Sequence, residues 1–403
     1  MQYRQMPKSE DKLSVLGFGC MRLPTNGRHI DAQEAKKQIM HAIDNGVNYL
    51  DTAWPYHMGE SESFLGEHIL SDKDIREKVY VATKLPCFMI SKAEKFDEIF
   101  QKQLDKLKVD YVDYYLLHSI NGVVWDKMEA LGIKAWMDKV KKEGKVRHMG
   151  FSFHGKHEDF PRIVDAYDFD FVQVQFNILD ENFQAGIMGI DYAAKKDMGI
   201  IIMEPLRGGT LVGKIPAEVQ EIYDTADIKR SAAEWALGWI YNHPQISTVL
   251  SGMNSIEQID ENIKTASTVT ANSLTEKEEK ILQSVRDKYM ELMTIGCTGC
   301  RYCMPCPVGI DIPGVLKRLN DYHMFPKART KMNHMLYSGI ATEDGKPHFA
   351  GSCIQCGKCE GKCPQNLEIR KALKQVKKEM EGPGIKAVAA IMRPILNKRK
   401  KSG

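Results

Sequence analysis

The 403-residue sequence predicts an α/β chain, a closed (β/α)8 TIM barrel followed by a smaller, mainly helical domain rich in cysteine. Three observations carry this reading. Between residues 13 and 265, β-branched or aromatic runs alternate with helix-length amphipathic stretches, eight times over. Eight of the ten cysteines lie between Cys297 and Cys363. Charge divides near residue 290: from Glu291 onward there are 20 basic and 9 acidic residues, against 36 and 44 before it. The net charge of +3 therefore hides an acidic body and a basic end.

Composition excludes several classes. With 43% hydrophobic and 27% charged residues the chain has a core to bury, which argues against disorder or a fibre. No apolar run approaches the eighteen or so residues of a membrane span. The start, Met1-Gln2-Tyr3-Arg4-Gln5-Met6-Pro7-Lys8, is polar and lacks a signal-type apolar stretch, so a cytoplasmic, reducing setting is expected. No nucleic-acid motif is present.

The expected strands, in order, are Ser14–Gly19, Val47–Thr52, Val79–Lys84, Val112–His118, Arg147–Phe151, Phe171–Phe176, Ile200–Glu204 and Ser247–Ser251. Several are largely apolar, as strands covered on both faces should be. Helices are expected between them. Ala32–Asn45 carries Ala35, Ile39, Ala42 and Ile43 on one face, and Ala93–Leu107 carries Phe96, Ile99, Phe100 and Leu107. Gly46 and Gly199 stand where helices should stop. A doubly wound open sheet is the alternative. Its phosphate loop is missing, because Gly17-Phe18-Gly19 runs into Cys20-Met21-Arg22 without a third glycine.

In a barrel, chemistry sits where strands end. Those positions hold Asp51 with Tyr56 after it, Lys84, His118 and Ser152. Singly each has a bland explanation: a helix cap, a loop aromatic, a solvated strand end, a satisfied polar residue. Together they suit one task. An ammonium at Lys84 would lower the pKa of the Tyr56 phenol, and Asp51 would hold the ammonium, making Tyr56 a usable general acid. His118 would orient a carbonyl or stabilise its developing oxyanion.

This set resembles the Asp-Tyr-Lys-His tetrad of the aldo-keto reductases. The matching segments are Tyr49-Leu50-Asp51-Thr52-Ala53 with Tyr56, Ala82-Thr83-Lys84, Leu116-Leu117-His118, Gly144-Lys145-Val146-Arg147, and Gly150-Phe151-Ser152. Phe171-Val172-Gln173-Val174-Gln175-Phe176-Asn177, Pro205-Leu206-Arg207-Gly208-Gly209, Ser251-Gly252-Met253 and Glu261-Asn262 follow in the same order. The resemblance covers residues 10 to 270 and implies reduction of an aldehyde or ketone by NADPH or NADH. It makes Tyr56 the proton donor, tuned by Asp51 and Lys84, with His118 positioning the carbonyl. Ser152 and Gln173 would hold the nicotinamide amide and residues 205–209, Pro205, Leu206 and Gly208 among them, the pyrophosphate, while Met203, Gly252, Gln258 and Asn262 would also belong to the cofactor site.

The chain departs from that pattern in three places. Phe153 follows Ser152 where an asparagine is common, and Met203 stands where many relatives stack a tyrosine on the nicotinamide. Gly252 and Gln258 replace basic residues that clamp the NADPH 2′-phosphate, which removes the strongest contacts a phosphate makes.

The cysteine region has two runs, Cys297-x2-Cys300-x2-Cys303-x2-Cys306-Pro307 and Cys353-x2-Cys356-x2-Cys359-x3-Cys363-Pro364. The second reproduces the bacterial ferredoxin signature and the first differs by one residue in its last gap. Zinc and disulfides are the competing readings. Two runs of four, each closed by Cys-Pro, favour iron–sulfur. Because the fourth cysteine of such a run usually serves the other cluster, one [4Fe–4S] is expected on Cys297, Cys300, Cys303 and Cys363. The second is expected on Cys353, Cys356, Cys359 and Cys306. With helices expected at Ile312–Tyr322 and Leu367–Met380, the region resembles helical two-cluster ferredoxins, an extension found in one subfamily of the aldo-keto reductases.

The expected domains are thus a barrel over 1–270, a helical connector over 271–295, a ferredoxin-like domain over 296–382 and a basic tail over 383–403, which Pro394 should keep from being one helix. Cys20 and Cys87 are expected to be small buried residues, Cys87 near the pocket. Partners are a small carbonyl substrate and a ferredoxin or flavoprotein exchanging single electrons with the clusters. A second reading makes the chain an electron-transfer protein whose barrel is a binding platform.

Overall fold

The structure, a computed structural model, describes residues 1–155, 157–213, 215–324, 327–340 and 346–399, with backbone alone at 329 and 393–399. Its larger part is a closed, all-parallel barrel. The strands are β1 (Leu16–Gly19), β2 (Tyr49–Asp51), β3 (Tyr80–Leu85), β4 (Val112–Ile120), β5 (Val146–Phe153), β6 (Phe171–Gln175), β7 (Gly199–Met203) and β8 (Ile246–Ser251). Each pairs with the next, and β8 closes on β1 with Ser251 opposite Phe18. The eight expected strands are all present.

An antiparallel hairpin, Tyr3–Gln5 with Lys12–Ser14, precedes β1. Met6 and Leu13 from it pack with Tyr49, Ala82, Tyr114, Leu116, Phe171, Ile201 and Leu250 in one buried cluster. Gly199 therefore has a different task from the one expected. It opens β7 rather than ending a helix, and a Cβ there would run into the Met6 side chain. Asp197, at φ 55°, takes the left-handed position instead. Gly46 does end its helix, at φ 92°.

Three helices of this part matter below. In α1 (Ala32–Asp44) the Asp31 side chain caps the first turn by accepting from Glu34 N at 3.1 Å. α2 (Glu94–Leu107) buries Phe96, Ile99, Phe100, Leu104 and Leu107, and among them Gln103. α3 (Ile256–Thr268) follows β8 and is capped by Ser255.

The chain forms two compact units, Met1–Leu206 with Ile228–Leu282, and Arg207–Asp227 with Gln283–Gly403. The division falls inside helix α4 (Glu276–Leu292). It also assigns Arg207–Asp227, which the sequence reading kept in the barrel, to the second unit. Within that unit Tyr289 donates to Leu211 O at 3.5 Å.

The second unit is built on an internal repeat. In each cysteine run the second and fourth residues after the first cysteine are left-handed: Gly299 and Arg301 at φ 76° and 66°, Gln355 and Gly357 at 58° and 73°. The glycine changes place between the copies while the turn does not. Each run then closes on a further left-handed residue, with Gly309 N donating to Cys306 O at 2.9 Å and Asn366 N to Cys363 O at 3.1 Å. Each leads into a helix, α5 (Ile312–Met324) or α6 (Ile369–Met380). Val315, Leu316 and Leu319 of α5 and Ala372, Leu373 and Val376 of α6 share one core, against which the cysteine loops pack.

The last helix, α7 (Pro383–Arg399), runs through Pro394, so the expected interruption does not occur. A proline removes one donor from the ladder, and the bonds either side still define the axis. Ala389 on α7 is buried with Ile340 and Phe349. The end of the basic tail, from residue 400, lies outside the described residues.

Candidate active site and cysteine centres

The ends of β2, β3 and β4 bring Asp51, Tyr56, Lys84 and His118 together. Lys84 Nζ donates to both carboxylate oxygens of Asp51, at 2.6 and 2.7 Å, and to Thr52 O at 2.8 Å. It lies 3.3 Å from the Tyr56 hydroxyl. The Tyr56 ring stands edge-on to the His118 ring, with centroids 6.3 Å apart. Asp51, Lys84 and His118 are almost wholly buried, and Tyr56 is 9% exposed.

The electrostatics differ from expectation in one respect. Burial raises the Tyr56 phenol well above its ordinary range, and the charges of Asp51, Cys20 and Glu204 raise it further. Lys84 Nζ, 3.3 Å from the hydroxyl, does not reverse this, because burial of the phenol outweighs it and the Asp51 carboxylate beside the ammonium opposes it. Tyr56 thus holds its proton firmly. Burial, reinforced by Lys84 and His154, pushes the His118 imidazole well below its ordinary range, so it is neutral at pH 7.

The sequence reading missed what stands behind Lys84. Gln103 Nε2 donates to Lys84 O at 3.0 Å, to Thr83 Oγ1 at 3.2 Å and to Glu62 Oε1 at 2.5 Å. Its oxygen accepts from the Tyr115 hydroxyl at 2.6 Å. Glu62, also buried, accepts from Thr83 Oγ1 at 2.7 Å. The available signal was a glutamine at an apolar position of an amphipathic helix.

Ser152 and Gln173 are register partners on β5 and β6. Ser152 Oγ accepts from Ser119 N at 2.8 Å, and Gln173 Nε2 lies 3.5 Å from Met203 Sδ. Gln173 Oε1 is buried with no hydrogen-bond partner among the described residues. An orphaned buried acceptor fits an amide N–H, such as that of a nicotinamide carboxamide. After β7, Glu204 and Arg207 are both left-handed, at φ 56° and 48°. Pro205 and Leu206 belong to the first unit, Gly208 to the second. Asn262 Nδ2 donates to Ser251 Oγ at 3.1 Å, and Gln258 Oε1 accepts from Asn254 N at 3.1 Å. A Cβ on Gly252 would lie 3.1–3.3 Å from three carbons of Arg22, whose stem fills that space. Cys20 and Cys87 are buried, and burial pushes the Cys87 thiol up to about 12.

In the second unit the cysteines form two groups. Around Cys303, whose thiol burial pushes up to about 12, Cys300, Cys297, Cys363 and Cys359 are all close enough to add to that shift. Cys306, Cys353, Cys356 and Cys359 line one concavity together with Cys303. Gln355 donates to Cys353 Sγ twice, from its backbone at 3.4 Å and its side chain at 3.2 Å. Among the described residues no three ligating side chains close on a point where a single metal ion would sit. The first grouping includes Cys363 and the second Cys306, as the expected crossed ligand sets would, although Cys303 and Cys359 fall in both.

Barrel, strand-end residues and cysteine-rich extension together define a class, and comparison with known proteins agrees. Residues 15–287 match the aldo/keto reductase family and residues 296–368 a 4Fe-4S dicluster domain. The chain belongs to the aldo/keto reductase family and is an oxidoreductase that carries a 4Fe-4S domain at its C-terminal end. Its relatives include the uncharacterised oxidoreductase YqkF of Bacillus subtilis, 27% identical across 70% of this chain and 96% of that one. The NADH-specific methylglyoxal reductase of Escherichia coli is 24% identical across 62% of this chain and 89% of that one. Among solved structures, the holo form of aldo-keto reductase AKR11C1 from Bacillus halodurans superposes with a TM-score of 0.60 and 25% identity, over 71% of this chain and 96% of that one. No described helix is long and apolar enough to cross a membrane.

Proposed function

We propose that the barrel reduces the carbonyl group of a small aldehyde or ketone, using NADPH or NADH, with Tyr56 as proton donor. The observation that carries this is the Lys84 ammonium, bound by Asp51 and 3.3 Å from the Tyr56 hydroxyl at the strand ends. When bound, the nicotinamide supplies the hydride. Tyr56 gives its proton to the carbonyl oxygen. Lys84, anchored by Asp51, stabilises the phenolate left behind, which is where charge develops. Neutral His118 donates an N–H to the same oxygen and adds no competing charge. Gln173 Oε1, with Ser152, holds the carboxamide.

The eight cysteines would hold two [4Fe–4S] clusters in the crossed arrangement, which would supply one-electron transfer with a partner protein. Hydride carries two electrons and each cluster one, so the two halves of the chain handle electrons in different units. A second reading, in which the barrel only presents a binding surface, is favoured by the lack of a basic side chain at Gly252 and Gln258.

The test is purification without oxygen, iron and sulfide analysis, and titration with NADH and NADPH. Iron near eight atoms per chain and saturable nucleotide binding are expected. Tyr56→Phe should lower kcat for carbonyl reduction about 100- to 10,000-fold while nucleotide binding is unchanged. Reduction unaffected by that change would defeat the proton-donor assignment, and zinc in place of iron would defeat the cluster assignment.

A further inference from the structure

The internal repeat of the second unit supplies its own comparison, since equivalent positions in the two cysteine runs share a backbone but not a surface. Where the first run has Thr298, 4% exposed, the second has Ile354, 61% exposed. Where the first has Tyr302, the second has Lys358. The longer last gap of the second run adds Lys362, where the first has Met304 and Pro305. Cys300 is half-buried, whereas its counterpart Cys356 is the one exposed cysteine among the eight.

The basic character extends beyond the loop. The concavity lined by the second group of cysteines is also lined by Lys358, Lys362 and Arg370. A neighbouring groove shares Arg370 and continues along α6 through Lys371 and Lys374. Glu360 neutralises Arg370 at 2.6 Å and Glu368 neutralises Lys371 at 2.8 Å. Lys358, Lys362 and Lys374 have no ion pair among the described residues. In the first run the one basic residue, Arg301, is paired with Asp311 at 3.1 Å.

From this asymmetry we infer that the face around Ile354, Cys356, Lys358, Lys362 and Lys374 is the docking surface for an acidic protein that carries a one-electron centre. The inference rests on the reading of Cys306, Cys353, Cys356 and Cys359 as cluster ligands. An exposed apolar residue beside the exposed ligand gives a small dry contact, as brief electron-transfer complexes use. Unneutralised lysines around it steer and orient an acidic partner, raising the on-rate more than the final affinity. One electron crosses per encounter. The carrier is oxidised by one electron, the cluster beneath is reduced by one, and no bond or proton moves.

The experiment uses the iron-loaded full chain and, as probe, an acidic plant-type [2Fe–2S] ferredoxin. Binding is followed by titration calorimetry, and reoxidation of the reduced probe by stopped-flow absorbance. The expected result is saturable micromolar binding that weakens at least tenfold between 20 and 200 mM salt. Lys358→Glu with Lys362→Glu should weaken it a further tenfold or more, with iron content and visible spectrum intact. Lys12→Glu with Lys36→Glu, on the barrel, should leave it unchanged. Three results overturn the inference: no saturable binding, equal loss from both pairs of variants, or loss of binding to phosphatidylglycerol vesicles alone. A chain that binds the probe without holding iron would instead show that the cluster reading itself is wrong.

Discussion

At the scale of single residues, the candidate site is a matter of where one ammonium spends its hydrogen bonds. Spacing along the chain placed Asp51, Tyr56, Lys84 and His118 at neighbouring strand ends, and the structure brings them together. It did not reveal the sign of the Tyr56 shift. Proximity to Lys84 suggested a lowered pKa, whereas burial and the Asp51 carboxylate raise it. A sequence shows which charges are neighbours but not which are already neutralised, and that decides the field at a third atom. The histidine gives a clear pH test. His118 is held well below its ordinary pKa of 6.5, so it stays neutral as pH falls through that value. The expected profile of log kcat/KM is flat from pH 6 to 8, and a break near 6.5 would show an imidazole titrating at its ordinary pKa instead.

At the scale of elements, the strands were legible because a parallel strand covered on both faces is largely apolar along its length. Gly199 was misread because sequence cannot show that Met6, from a distant hairpin, occupies the space a side chain would need. Helix α2 carries the network that fixes the carbonyl of Lys84. Replacing Gln103 by leucine leaves that carbonyl and the Glu62 carboxylate short of donors, at a cost of roughly 2–3 kcal/mol. The expected outcome is a lower Tm with kcat reduced and KM for the carbonyl nearly unchanged, and Gln103→Glu should not restore it. A second consequence belongs to the loop after β5. His154 is buried there, its pKa pushed down to about 4 by desolvation. The unfolded chain therefore binds more protons between pH 6.5 and 4, and stability falls as pH drops through that window, by up to about 3 kcal/mol. Thermal melts across it should steepen for the native chain and flatten for His154→Gln.

At the scale of the whole molecule, two domains were readable because charge and cysteine change together near residue 290. The crossing of the cluster ligands can be tested directly. If Cys297 and Cys306 serve different clusters, the double change to alanine should remove iron from both, leaving close to none. If each run holds its own cluster, about half should remain, and elemental analysis separates the two outcomes.

The second unit is not continuous in the chain, and that has a cost in time. Arg207–Asp227 packs with residues from Gln283 onward. During synthesis the segment leaves the ribosome well before its partners exist, a delay of roughly 3 to 11 s at 5–20 residues per second. No single proteolytic cut can therefore release the reductase barrel and the cluster-bearing end as two whole pieces, because a strip of the one is threaded through the other's gene order.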